Sequence, residues 1–214
     1  RRCRGRGAAG VATGVALDRA SASLLAQKYH DRAAASRVFA MARTHSQMRL
    51  RHLGVTGDIA RQYERLASRV FSLDDSLRAP AEVLRQNVLG VSGLWAHGIS
   101  GDLPIVLVSA AGADDLRFVR QILRAQEYWR LQALRADVVI VNEHPTSYLD
   151  EMHEQLEGLV DRGPWAGWKD RPGGVYLLRG DSLSAGDRHV LEAGAKAVLS
   201  GSRGDLVHQL DRPS

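Results

Sequence analysis

Cysteine occurs once in this 214-residue chain, at Cys3. That excludes an internal disulfide framework and a multi-cysteine zinc site. Long apolar runs are also missing. The longest are Pro104–Val108 and Val138–Val141, far short of the ~20 residues that span a bilayer. The Arg- and Gly-rich beginning carries no apolar h-region, so no secretory signal pattern is present. Lysine stands only at Lys28, Lys169 and Lys196; the basic positions are almost all arginine, which we read as coding bias. The net charge is +5, but Arg1, Arg2, Arg4 and Arg6 supply four of those charges. The remainder is close to neutral, which argues against a nucleic-acid-binding domain and leaves at most an Arg-rich arm.

Hydrophobic residues make up 44% and charged residues 25%, as in ordinary globular domains. A chain of this size buries enough surface to fold without metal or disulfides. Val11–Leu17 reads as one short strand, which is not stable alone. Asp18 opens a helical pattern carrying Leu24, Leu25 and Tyr29. A second helix is predicted over Arg32–Leu53, with Val38, Met41, His45, Met48 and His52 along one side and Gly54 as its stop. Asp58–Leu73 reads as a third helix, striped by Ile59, Tyr63, Leu66, Val70 and Phe71. Pro80 starts a short helix through Asn87. Gly90–Asp102 is glycine-rich and reads as a boundary loop.

From Leu103 the pattern alternates. Pro104–Val108, Asp137–Asn142 and Val175–Leu178 read as strands. Asp114–Leu134, Ser147–Val160 and Ser184–Leu199 read as helices, with Thr146 or Ser147 capping the second and Ser184 the third. Strand–helix three times over implies parallel strands joined by right-handed crossovers. The expected fold is α/β: a remnant strand in residues 1–17, a helical linker over 18–89, and a three-stranded parallel βαβαβα module over 90–214.

Few residues suggest chemistry. Gly93–Asp102 precedes a strand, whereas phosphate-cradling loops follow one, so it is not a P-loop. Asp102 is a turn or cap residue before it is a catalytic carboxylate. Asn142, Glu143 and His144 end the most apolar strand, where open α/β sheets bind ligands. A Glu–His pair there suits acid–base work, and capping by Asn142 with a turn at Pro145 explains the same residues. His45 and His52 are seven apart, wider than the spacing of helical metal pairs. Trp165 and Trp168 flank Gly167; exposed tryptophans stack on sugar rings, and loop tryptophans also pack on sheets. No Ser–His–Asp order, G-x-S-x-G or C-x-x-C is present.

Two longer runs go further. LWAHGISGDLPIVLV (Leu94–Val108) and VRQILRAQEYWRLQALRADVVIVNEHPTSYL (Val119–Leu149) resemble the very large cyclic β-1,2-glucan synthases. They look like the segment joining the β-sandwich units of glycoside hydrolase family 94, formerly glycosyltransferase family 36. Thr13–Tyr29, Ala42–Val55, Tyr63–Phe71 and Arg171–Asp181 fit the same segment. The resemblance fails over residues 1–10, which are expected to be the tail of a truncated sandwich. It also departs at Ala96–His97, where an aromatic is expected.

The resemblance implies a parent that makes β-1,2-glucan from UDP-glucose in the bacterial inner membrane, with this segment facing the cytoplasm. The transferase domain and the helical barrel that performs phosphorolysis would lie outside these residues. No catalytic residue is therefore carried over, and neither cofactor nor metal is expected. The expected partners are the parent's sandwich and barrel units and its β-1,2-glucan, with no nucleic acid and no membrane contact. Candidate ligand-contacting residues are Trp95, Asp102, Asn142, Glu143, His144, Trp165 and Trp168. Three readings result: a non-catalytic scaffold or carbohydrate-contacting segment, an α/β enzyme or ligand-binding module using the strand end Asn142–His144, and a nucleic-acid binder using the arginine arm.

Overall fold

The computed structural model describes residues 15–30, 32–145 and 150–211. The chain divides into two compact units, Arg1–Gly54 and Val55–Ser214. In the first, α1 (Arg19–His30) and α2 (Arg32–His52) follow one another. Asp18 Oδ1 accepts the Ser21 N–H at 2.7 Å and so caps α1. Leu24, Val38, Phe39, Met41 and Met48 are all exposed. The predicted strand at Val11–Leu17 lies largely outside the described residues. Where it is described it has no strand, and Val15 and Leu17 are fully exposed. The arginine arm also lies outside the described residues.

The second unit opens with α3 (Gly57–Phe71), α4 (Ala81–Gln86) and α5 (Ser92–Trp95). Thr56 caps α3, accepting the Ile59 N–H. Four strands follow: β1 (Ile105–Ala110), β2 (Asp137–Asn142), β3 (Val175–Arg179) and β4 (Ala195–Ser200). All are parallel and lie in the order β3-β2-β1-β4. The helices are α6 (Asp115–Leu131), α7 (Glu151–Asp161), α8 (Ala185–Gly194) and α9 (Leu206–Leu210). The α/β class and the parallel sheet stand as expected, with two corrections to the elements.

The first correction is β4. Sequence periodicity runs a single helix through Ser184–Leu199, but α8 stops at Gly194 and the chain enters a strand at once. Alanine favours helices, so Ala193, Ala195 and Ala197 continue a helical reading. Pairing with β1 overrides that preference: Val106 aligns with Ala197 and Val108 with Leu199. Strand preference is largely a matter of such neighbours. The second is that Gly90–Asp102 is not all loop, because Ser92–Trp95 forms one helical turn. Gly101 (φ +79°) then turns the chain where a Cβ would meet Val91 Cγ1 at 2.7 Å. The cap expected at Thr146 or Ser147 lies outside the described residues; α7 begins at Glu151, with Asp150 Oδ1 accepting the His153 N–H.

Alternation along the strands places two cores on opposite faces of the sheet. On one face Ile105, Leu107, Val139, Val141 and Tyr176 pack with Val190 and Leu191 of α8 and with Leu94 and Ile99. On the other, α6 covers β1 and β2, α7 covers β3, and α3 reaches α6 and β4. Trp129 of α6 is buried, donates its indole N–H to the Tyr63 carbonyl at 2.9 Å, and meets the Phe71 ring edge-on. Tyr128 donates to Glu64 Oε1 at 2.8 Å. Burial first, and then Glu64, push its phenol up to about 12. By packing, the chain divides at Gly54/Val55.

Candidate functional site

The seven candidate residues do not converge. Parallel strands have two distinct edges, and Asp102 precedes β1 while Asn142 ends β2 and Glu143 and His144 follow it. Asp102 is therefore at the amino edge. It is exposed, and its N–H donates to Ser100 Oγ. Its charge adds to the burial that raises the carboxyl of Asp137, the first residue of β2. Trp95 is 65% exposed and donates its indole N–H to the Ser100 carbonyl at 3.3 Å. Trp165 is buried and donates to the Leu123 carbonyl at 3.1 Å, so its ring is core. Trp168 carries the Arg130 guanidinium 4.4 Å above its ring; that face is already occupied.

The strand end Asn142–His144 is also split. Neighbouring residues of an extended chain point to opposite faces. Asn142 is buried, and its Oδ1 accepts the His144 N–H at 3.1 Å in a local turn. His144 is exposed; its Nδ1 lies 2.9 Å from its neighbour Pro145's carbonyl oxygen. Its ring borders an open hollow with Ala111, Gly112, Glu151, Met152 and Gln155. Glu143 continues the ladder, donating its N–H to the Ala110 carbonyl at 2.8 Å.

The Glu143 side chain meets Arg188 of α8. Arg188 Nη1 donates to Oε1 at 2.6 Å and Nη2 to Oε2 at 3.0 Å, a two-pronged pair. Nη2 also donates to the Gly180 carbonyl at 2.5 Å. The Glu143 hydrogen bond, ahead of burial, holds the Arg188 guanidinium above its usual value. Both oxygens of the Glu143 carboxylate are thus engaged by one guanidinium. Arg188 is held in its first turn of α8 by a capping box: Ser184 Oγ accepts the Asp187 N–H at 3.1 Å, and Asp187 Oδ2 accepts the Ser184 N–H at 2.9 Å.

Beside this pair a cleft of about 150 Å³ opens between α8 and the carboxyl ends of β1, β2 and β4. Leu107, Val141, Leu183, Leu191 and Val198 form its apolar floor; Ser109, Glu143, Arg188, Glu192 and Arg203 form its rim. Of these, only Glu143 stood among the sequence candidates. Arg188 carries no local signal, since its partner is 45 residues away. Among the described residues, no group of three or more His, Cys, Asp or Glu side chains is placed to hold a metal ion. No described helix is long and apolar enough to cross a membrane.

No family model matches the chain. It is 32% identical over 170 residues, 79% of its length, to the cyclic beta-(1,2)-glucan synthase NdvB of Rhizobium meliloti (strain 1021). The chain spans about 6% of the length of that relative. Over the matched residues, the chain belongs to the cyclic β-(1,2)-glucan synthase family.

Proposed function

We propose that this segment is a non-catalytic scaffold and carbohydrate-contacting part of a cyclic β-(1,2)-glucan synthase. On this reading, synthesis from UDP-glucose belongs to other parts of the parent. The observation that carries it is the closed ion pair at the strand end. Glu143, the best-placed carboxylate for acid–base work, is held by both prongs of Arg188 and lies on a different face from Asn142. The partners are then the parent's β-sandwich units of the family 94 type and its helical barrel. The parent lies in the inner membrane, and this segment faces the cytoplasm. A surface for the sandwich units is at hand: Val88, Leu89, Val91 and Trp95 are an exposed apolar run in a short stretch of chain.

The test uses the purified chain with UDP-glucose, alongside Glu143→Gln and a triple variant with serine at 88, 91 and 95. We expect no glucosyl transfer from any of the three. We expect apolar dye binding by the parent chain and Glu143→Gln, and a clear drop in the triple variant. Transfer that disappears in Glu143→Gln would overturn the reading in favour of an enzyme. Dye binding unchanged in the triple variant would remove the docking surface.

A further inference from the structure

We propose that the cleft between α8 and the carboxyl ends of β1, β2 and β4 binds a neutral, polyhydroxylated ligand the size of one sugar ring. This deepens the carbohydrate-contacting part of the reading above by assigning it to one place. None of the three candidate tryptophans supplies that place. Trp165 is core, the Trp168 face carries Arg130, and Trp95 stands 65% exposed on a helical turn.

Position is the first argument. The strand order β3-β2-β1-β4 turns back at β1. Open α/β sheets bind ligands outside the carboxyl ends of the strands where the order reverses. Leu107, Ser109, Val141, Glu143 and Val198 point to one face there, and Arg188, Leu191 and Glu192 share one stripe of α8 by their spacing. Size is the second. A volume of about 150 Å³ equals roughly five waters of the liquid. That is below the roughly 300–1,000 Å³ of drug-sized ligand sites, so the cleft cradles part of one ring, with the rest facing solvent, and no oligomer.

Charge is the third. The rim carries two carboxylates, Glu143 and Glu192, and two guanidiniums, Arg188 and Arg203. An anion would meet both carboxylates and a cation both guanidiniums, whereas a neutral ligand meets neither penalty. Hydroxyl groups donate and accept, so they suit a mixed rim. The pair itself leaves capacity for them. Each Glu143 oxygen takes one bond from Arg188 and retains a further lone pair. Arg188 spends three of its N–H donors on Glu143 and Gly180; two of the five remain. Ser109 Oγ makes only a long 3.5 Å contact to the Leu199 carbonyl. The aliphatic floor then meets the C–H face of the ring.

The full chain is titrated with methyl β-D-glucopyranoside, D-glucuronate and D-glucosamine while backbone amide resonances are followed by NMR. We expect saturable millimolar binding of the neutral glucoside, with shifts centred on Ser109, Glu143, Leu183 and Arg188, and several-fold weaker binding of both charged sugars. Val198→Phe fills the cleft from the edge strand and weakens the glucoside roughly tenfold. Should that variant not fold, Arg188→Lys keeps the charge, loses the fork and weakens binding likewise. Absence of saturable shifts at those amides overturns the proposal. So do equal binding of glucuronate and shifts that survive Val198→Phe in a folded protein. None of these outcomes bears on UDP-glucose turnover, so the scaffold reading and this one fall separately.

Discussion

Gly180 has no room for a side chain. A Cβ there would lie 2.5 Å from Glu143 Oε2 and 2.9 Å from the Asn142 carbonyl oxygen. Gly180→Ala is therefore expected to push the Glu143–Arg188 pair apart and cost about 1–3 kcal/mol, as overpacking does. Urea unfolding measures it, and an unchanged midpoint would mean that the pair shifts freely. Asp137 is a different case. It is buried, accepts the Gly173 N–H at 2.6 Å, and its Oδ2 has no protein partner. Burial raises its carboxyl above 3.8. The folded state then binds more protons than the unfolded one over a window beginning near that value. Its contribution to stability is present below it and is lost as pH rises through the raised value. Asp137→Asn keeps the acceptor and removes the titration. The variant should gain stability relative to the parent as pH rises through this window, read by urea unfolding at several pH values. A constant difference across pH would show that Asp137 does not titrate in the window.

At the scale of elements, the capping box of α8 and the edges of the sheet decide the site. Ser184→Ala removes the acceptor for the Asp187 N–H and should cost about 1 kcal/mol. It should also loosen Arg188 within the same helical turn. Thermal unfolding reads the first effect, and a faster exchange of the Arg188 side-chain protons reads the second. Stability equal to the parent's would mean the box contributes nothing. β4 is an edge strand, a place where unpaired backbone invites other chains. Here the Val198 N–H donates to the Leu77 carbonyl at 2.7 Å, and Gln209 bonds both the N–H and the carbonyl of Ser200. Gln126 does similar work at the amino edge, donating to the carbonyls of Ala136 and Gly174 at 2.9 and 2.6 Å.

At the scale of the molecule, α3 is part of the sheet unit. Tyr63, Leu66 and Val70 are buried, and Trp129 leans on Tyr63 and Phe71. A chain beginning at Val55 should keep the denaturant midpoint of the sheet unit. One beginning at Ser72 should lose cooperative unfolding, because α6 would expose Trp129 and Tyr128. Cooperative unfolding of the shorter chain would show that α3 is dispensable. The same helix explains the boundary. The glycine-rich stretch 90–102 looks like a break in the sequence, yet Leu94 and Ile99 within it belong to the core.

The sequence by itself determined the class and most of the elements. The β-branched run of β2 is typical of a strand buried on both faces, and Ser184 and Asp187 write their own capping box. Such features are local, so one stretch of residues specifies them. Long motifs in consistent order also carried the family. Only the tertiary structure decided β4, whose alanines favour helix until β1 pairs with them. Only it separated Glu143 from its neighbour Asn142, buried Trp165, and set Arg130 on Trp168. Only it joined Glu143 to Arg188 across 45 residues and placed Leu107, Val141 and Val198 beneath them. Contacts between residues distant in sequence have no local signature; the crossovers that return each strand to the sheet bring them together.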